Sequence, residues 1–150
     1  MLRKITSQSG CLFVTVPDVV GDAKATLGLF HEWFLEVRAT GQPVAYVGQD
    51  GIEDLQPPWT EMDAYFVGGS TRWKLSQASF DLMAEAKRRG KHVHVGRVNS
   101  LRRLQACHDA GVNTVDGSSL SRWGDAHLAK FCGWLRELGQ QPILFGGKHS

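Results

Sequence analysis

Two aspartates in this chain, Asp18 and Asp116, stand where a carboxylate can do chemistry. Asp18 follows the apolar run Leu12 to Val16 through Pro17, and Asp116 closes the run Val112 to Val115. A carboxylate at the end of a buried strand is partly desolvated, which suits a nucleophile or a base. Gly117-Ser118-Ser119 follow Asp116, so it is poorly placed to cap an immediately following helix. Asp22 is the better cap for the first helix, which leaves Asp18 to face a ligand. Gly48-Gln49, Gly68-Gly69-Ser70 and Gly96-Arg97 close other apolar runs in the same way. Glycines there let a flat ligand approach the backbone and use its N–H groups. Gln49 either reads an amide edge of such a ligand or is a solvent-facing loop residue. Ser118, Ser119 and Arg122 are candidates for phosphate binding, with a solvated Arg122 as the alternative. Of His92 and His94, one should face the interior, as a satisfied core histidine. The plainer account of all these ends is that aspartates cap helices and glycines turn the chain.

These residues must be positioned by the elements between them. Leu12 to Val16 reads as a strand and about Asp22 to Thr40 as a helix with the stripe Leu27, Phe30, Trp33, Phe34 and Val37, stopped by Gly41. Pro43 to Val47 is a second strand, followed by a crossover broken at Pro57-Pro58. Ala64 to Val67 is a third strand, with a helix from about Ser76 to Arg89 closed by Gly90. His92 to Val95 is a fourth, and Asn99 or Ser100 caps the helix that follows it. Val112 to Val115 is a fifth, then a helix from about Asp125 to Leu138. Pro142 to Phe145 reads as a sixth strand.

Apolar strands alternating with amphipathic helices predict an α/β fold with a parallel sheet covered by helices. No GxGxxG follows the first strand, so a dinucleotide fold has no support. In parallel α/β folds, ligands sit at the carboxyl ends of strands, where the polar residues above collect. The expected architecture is a TIM-type (β/α) barrel, partial or completed by association, with residues 1–150 as one barrel-type domain. A full barrel takes roughly 250 residues, whereas this chain has 150 and would lack the first strands.

Composition narrows the function classes. With 42% hydrophobic and 21% charged residues the chain is not of the disordered class. A net charge of +2 does not by itself announce nucleic acid or membrane binding. The basic run Lys87, Arg88, Arg89 and Lys91 reads as a solvated helix end favoured by the helix dipole. Cys11, Cys107 and Cys132 are far apart and form no CxxC pair, so neither a zinc site nor a disulfide framework is expected. No apolar run reaches about 18 residues and the start lacks a signal-peptide pattern. The expected location is a reducing cytoplasm, with no metal, cofactor or membrane involved.

Taken in order, the strand ends resemble the queuine and archaeosine tRNA-guanine transglycosylase family. The resemblance runs from about Leu12 to Trp123. It rests on Val16-Pro17-Asp18, on Tyr46-Val47-Gly48-Gln49-Asp50-Gly51, and on Ala64-Tyr65-Phe66-Val67-Gly68-Gly69-Ser70. It continues through His94-Val95-Gly96-Arg97 and ends on Gly111-Val112-Asn113-Thr114-Val115-Asp116. The pattern is most similar to the phage and bacterial relatives that place 7-deazaguanine bases in DNA. The chain departs from the family: an early Asp-Ser-Gly-Gly-Phe-Gln stretch, the Cys-rich zinc site and the tRNA-binding domain are absent. After Asp116 the usual Pro-Thr-Arg is also missing, with Ser121-Arg122 in its place.

The resemblance implies a base-exchange enzyme, a pentosyltransferase that replaces guanine by a 7-deazaguanine base in DNA or tRNA. It implies Asp116 as the nucleophile at the sugar C1′ and Asp18 at the Watson–Crick edge of the base. Gln49, the Gly68-Gly69-Ser70 turn and Gly96 would line the base, and Arg97, Ser118 and Arg122 would hold flanking phosphates. In duplex DNA the guanine would leave the stack. A second copy or a partner chain would complete the barrel. A rival from another class is a phosphate-binding barrel of the isomerase or aldolase type, using Gly96 to Ser100 and Gly117-Ser118-Ser119. A non-catalytic, base-binding remnant is the third reading.

Overall fold

The computed structural model describes residues 9–139, with side chains throughout except over residues 119–124. Its strands are β1 (Val14–Thr15), β2 (Val44–Gly48), β3 (Ala64–Val67), β4 (His92–Val95) and β5 (Thr114–Val115). Its helices are α1 (Ala23–Arg38), α2 (Thr71–Lys74), α3 (Gln77–Arg88), α4 (Leu101–Asp109) and α5 (Ser118–Gly139). The strands lie in one sheet in chain order, β1-β2-β3-β4-β5. The β1–β2, β2–β3 and β4–β5 pairs are parallel. This is the α/β class predicted from the alternation, with the sequential strand order of part of a (β/α) barrel. The chain divides within β4 into two compact units, Met1–Val93 and His94–Ser150.

In the first unit, β2 is buried along its whole length, the reason it reads as a continuous apolar run. α1 starts where Asp22 Oδ1 accepts from the Ala25 N–H at 2.9 Å, as expected of the better cap. Its stripe packs inward through Phe30, which meets the Tyr46 ring edge-on at 5.3 Å, and through Val37; Trp33 lies partly exposed. α1 ends before Gly41, whose φ of 75° only glycine adopts without strain. Between β2 and β3 there is only a short 3-10 turn, Ile52–Asp54, in keeping with the Pro-broken crossover. The short α2 was not anticipated: Ser70, at the end of β3, accepts from the Trp73 N–H and caps it. α3 follows, capped by Ser76. At the opposite ends of the strands, Asp63 Oδ2 accepts from Arg38 at 2.6 Å and from the Val44 N–H at 2.8 Å.

In the second unit, Ser100 rather than Asn99 caps α4, whose Leu104 and Cys107 are buried. α5 begins at Ser118, not near Asp125 as expected. Only Gly117 therefore separates Asp116 from the helix, although the Asp116 carboxylate turns elsewhere for its partners. Phe131 and Leu138 are buried, while Leu128 and Leu135 stay about half exposed, so the apolar side of this helix is buried only in part. The predicted strand Pro142 to Phe145 lies outside the described residues. Cys11, Cys107 and Cys132 are free thiols. Among the described residues no helix is long and apolar enough to cross a membrane.

Tyr46 and Tyr65 are register partners on β2 and β3, both fully buried. Neither hydroxyl has a hydrogen-bond partner among the described residues. Burial pushes both phenols well above their ordinary range, and for Tyr65 the neighbouring Tyr46 and Glu53 add to the effect. The Tyr65 hydroxyl occupies the space that a side chain on Gly48 would need. Gly48→Ala should therefore lower stability by at least about 1–3 kcal/mol, the usual cost of overpacking. Tyr65→Phe should be neutral or stabilising, because it removes an unpaired buried hydroxyl. Urea midpoints of the two variants test both signs.

Candidate functional site

The ends of β1, β2 and β3 are tied together by one side chain. Gln49 is 1% exposed. Its Oε1 accepts from the Gly21 N–H and the Gly69 N–H, each at 2.9 Å. Its Nε2 donates to Asp18 Oδ2 at 2.7 Å. A buried amide must be hydrogen-bonded to be tolerated, and here three partners from two other strand ends supply that. Next in sequence, Asp50 accepts from the Ser70 N–H at 2.7 Å and from its hydroxyl at 2.6 Å. The Gly68 N–H, one position earlier, donates to the Gly48 carbonyl at 2.9 Å. Three successive residues at the end of β2 thus hold three successive N–H groups at the end of β3.

That zipper accounts for the glycines more directly than ligand approach does. A Cβ on Gly68 would lie 2.7 Å from Gln49 Nε2, and one on Gly69 would lie 2.6 Å from Asp50 Oδ1. Gly69 also has φ at 70°. Partial burial pushes Asp50 up, but the Ser70 hydroxyl and N–H, its own N–H and the charge of Lys74 outweigh this. Its carboxyl lies below the usual carboxylate range. Asp18 is exposed, and its Oδ1 has no protein partner among the described residues. A cleft of about 310 Å³ opens between the start of α1 and the loop after β2, lined by Gly21, Asp22, Lys24, Asp50, Gly51 and Leu55 but not by Asp18.

In the second unit the end of β5 is organised around Asp116. Its Oδ1 accepts from the Arg97 N–H at 2.7 Å. Its Oδ2 lies 3.1 Å from His94 Nε2, and His94 Nδ1 lies 2.8 Å from Thr114 Oγ1. Its backbone joins in, with the Asp116 N–H donating to Val95 and the Val98 N–H donating to Asp116. The His94 side chain is 11% exposed and that of Asp116 is 50% exposed. Arg97, whose N–H donates to Asp116 Oδ1, adopts φ of 58°, a left-handed conformation uncommon for a non-glycine residue. Asn99 Nδ2 donates to Ser118 Oγ at 3.1 Å, linking the starts of α4 and α5. Gly96 is buried at the end of β4. The Arg122 side chain lies outside the described residues.

Asp18, Gln49 and Gly69 are thus brought into direct contact within the first unit, and Gly68 and Ser70 adjoin them. Asp116, Arg97 and Ser118 gather in the second. Sequence reading passed over Asp50, which sits beside Gln49 in the same turn, and over Lys74, which is only 6% exposed. It also passed over Thr114. The signal for Thr114 was available, because parallel pairing sets it opposite His94. Among the described residues no group of three or more His, Cys, Asp or Glu could hold a metal ion. No protein-family model matches this sequence, and no curated protein matches it.

Two measurements test the zipper. Gln49→Leu keeps the volume but strips acceptors from the Gly21 and Gly69 N–H groups. It should cost about 2–4 kcal/mol by denaturant unfolding. Asp50 has a lowered folded pKa, so its contribution is present above its unfolded value, about 3.9, and is lost as pH falls through the folded value. Asp50→Asn should therefore be less stable than the parent at neutral pH, and that difference should shrink in unfolding curves taken below about pH 4.

Proposed function

We propose that this chain is a base-exchanging transglycosylase that replaces guanine in DNA, or in tRNA, by a 7-deazaguanine base. The observation that carries the reading is the Asp116 carboxylate: half exposed at the end of β5, with both oxygens held by donors from the end of β4. A nucleophile needs this combination of access and fixed direction. A carboxylate oxygen of Asp116 attacks C1′, the C1′–N9 bond breaks, and guanine leaves with the bonding electrons and takes up a proton. N9 of the incoming base then attacks C1′, loses its proton, and frees the carboxylate. Two displacements retain the configuration at C1′, as in retaining glycoside cleavage.

Base recognition falls to Asp18, whose free Oδ1 can accept from the N–H groups of a guanine-type edge. The Gln49 amide and the Gly69 N–H are engaged with each other, so in this reading they set the direction of Asp18. Arg97 and the Asn99–Ser118 pair serve the phosphates flanking the target nucleotide, with Arg122 assigned the same role on sequence alone. The isomerase or aldolase reading rests on that same Asn99–Ser118 junction at two helix starts. In the described sheet β1 and β5 each have one open edge, and the reading includes association with a second copy or another chain across the edge of β1.

The test is trapping. The chain incubated with guanine-containing DNA or tRNA should give a denaturant-resistant adduct, which an added 7-deazaguanine base discharges. Asp116→Asn should abolish the adduct and leave the fold intact. Asp18→Asn should weaken capture about ten- to a hundredfold, since with one oxygen held by Gln49 the neutral amide presents an N–H₂ or a weaker, uncharged acceptor to the N–H groups of the base edge. No adduct with either nucleic acid would overturn base exchange. Binding of a phosphate monoester without any adduct would favour the metabolic barrel.

A further inference from the structure

We infer that His94 is a positioning residue for Asp116, holding the carboxylate in the plane from which it attacks, and that Thr114 fixes the imidazole tautomer that does so. The inference rests on the base-exchange reading. Its geometry lies within the second unit. His94 and Thr114 are register partners on β4 and β5. Side chains two apart on an extended segment share a face, so Asp116 falls on the same side of the sheet as Thr114. The imidazole meets both, at 2.8 Å through Nδ1 and 3.1 Å through Nε2.

The exposure gradient gives the arrangement its direction. The imidazole is buried and the carboxylate is half exposed, so His94 holds Asp116 from the inner side. A histidine that only filled the core would not require a half-exposed carboxylate as its partner, because water could satisfy that carboxylate. With the Thr114 hydroxyl donating to Nδ1, the ring hydrogen sits on Nε2 and points at Asp116 Oδ2. The Arg97 N–H holds the other oxygen. Free carboxylates rotate broadly about their last torsion; with one donor on each oxygen this one is fixed, and its outward lone pairs face the attack direction. His94 gives up no proton in either displacement. The oxygen that does not bond to C1′ keeps its donor throughout, which also steadies Asp116 as a leaving group in the second half.

The test compares His94→Phe, His94→Gln and Thr114→Val with the parent chain. Rates of adduct formation at saturating guanine-containing DNA or tRNA are measured beside the dissociation constant for the same nucleic acid. His94→Phe should slow adduct formation about ten- to a hundredfold, the worth of one hydrogen bond to a charged group. The dissociation constant should stay unchanged. His94→Gln, whose amide nitrogen takes the place of Nε2, should recover part of the rate, and Thr114→Val should fall between. If His94→Phe does not fold, the Gln and Val variants carry the same comparison. A parent chain that forms no adduct sinks base exchange itself. A parent chain that forms it no faster than His94→Phe, or a Gln variant as slow as the Phe variant, overturns the role of His94 alone.

Discussion

The buried amide of Gln49 is the constraint on which the first unit depends. Nothing apolar could replace it without orphaning two backbone N–H groups, and nothing charged could sit there without a large desolvation cost. An amide is the one common side chain that accepts and donates from the same small plane. It therefore takes two N–H groups on its oxygen and one carboxylate on its nitrogen. The consequences spread outward. Gly68 must lack a side chain because Gln49 Nε2 lies beside it, and Gly69 because Asp50 does. Ser70 is then held at both its N–H and its hydroxyl, and α2 starts from it.

The second unit solves a similar problem with a charge. Asp116 also spans strand ends, accepting from the Arg97 N–H and meeting His94, but it stays half exposed. The difference follows from solvation: a neutral amide survives complete burial when bonded, whereas a carboxylate keeps access to water or to strong donors. That physical difference divides the labour. Buried Gln49 fixes geometry, and the exposed carboxylates of Asp18 and Asp116 keep their access to solvent.

Much of this was legible in the sequence. Short, β-branched apolar runs bounded by Pro and Gly, such as Val44 to Val47, read as strands covered on both faces, and Ala64–Val67 and His92–Val95 fall where the runs place them. Asp22 caps α1 as expected, and the helix expected from about Ser76 starts there, with Ser76 as its cap. Less legible was α2, a single turn over Thr71–Lys74 carried by one cap and too short for any periodicity. The start of α5 was missed because Ser118, Ser119 and Ser121 are of a type that favours caps and turns over helix interiors, so the stretch before Asp125 reads as loop, whereas the helix runs from Ser118. At the site, residue types marked the strand ends, but not what they do to one another. That glycines 48, 68 and 69 make room for Tyr65, Gln49 and Asp50 is a tertiary fact, and no local pattern encodes it.

Arg97 shows how the strand-end geometry is maintained against local preference. A left-handed non-glycine residue costs on the order of 1 kcal/mol or more. Glycine at this position would remove that cost, as it does at Gly69 and Gly111. Three backbone-linked bonds surround the turn: the Arg97 N–H to Asp116 Oδ1, the Val98 N–H to the Asp116 carbonyl, and the Asp116 N–H to the Val95 carbonyl. Together they over-determine the conformation, so the strain persists without unfolding the turn. The strained residue and the half-exposed aspartate are thus joined within one turn, by one bond to the carboxylate and two to the backbone beside it.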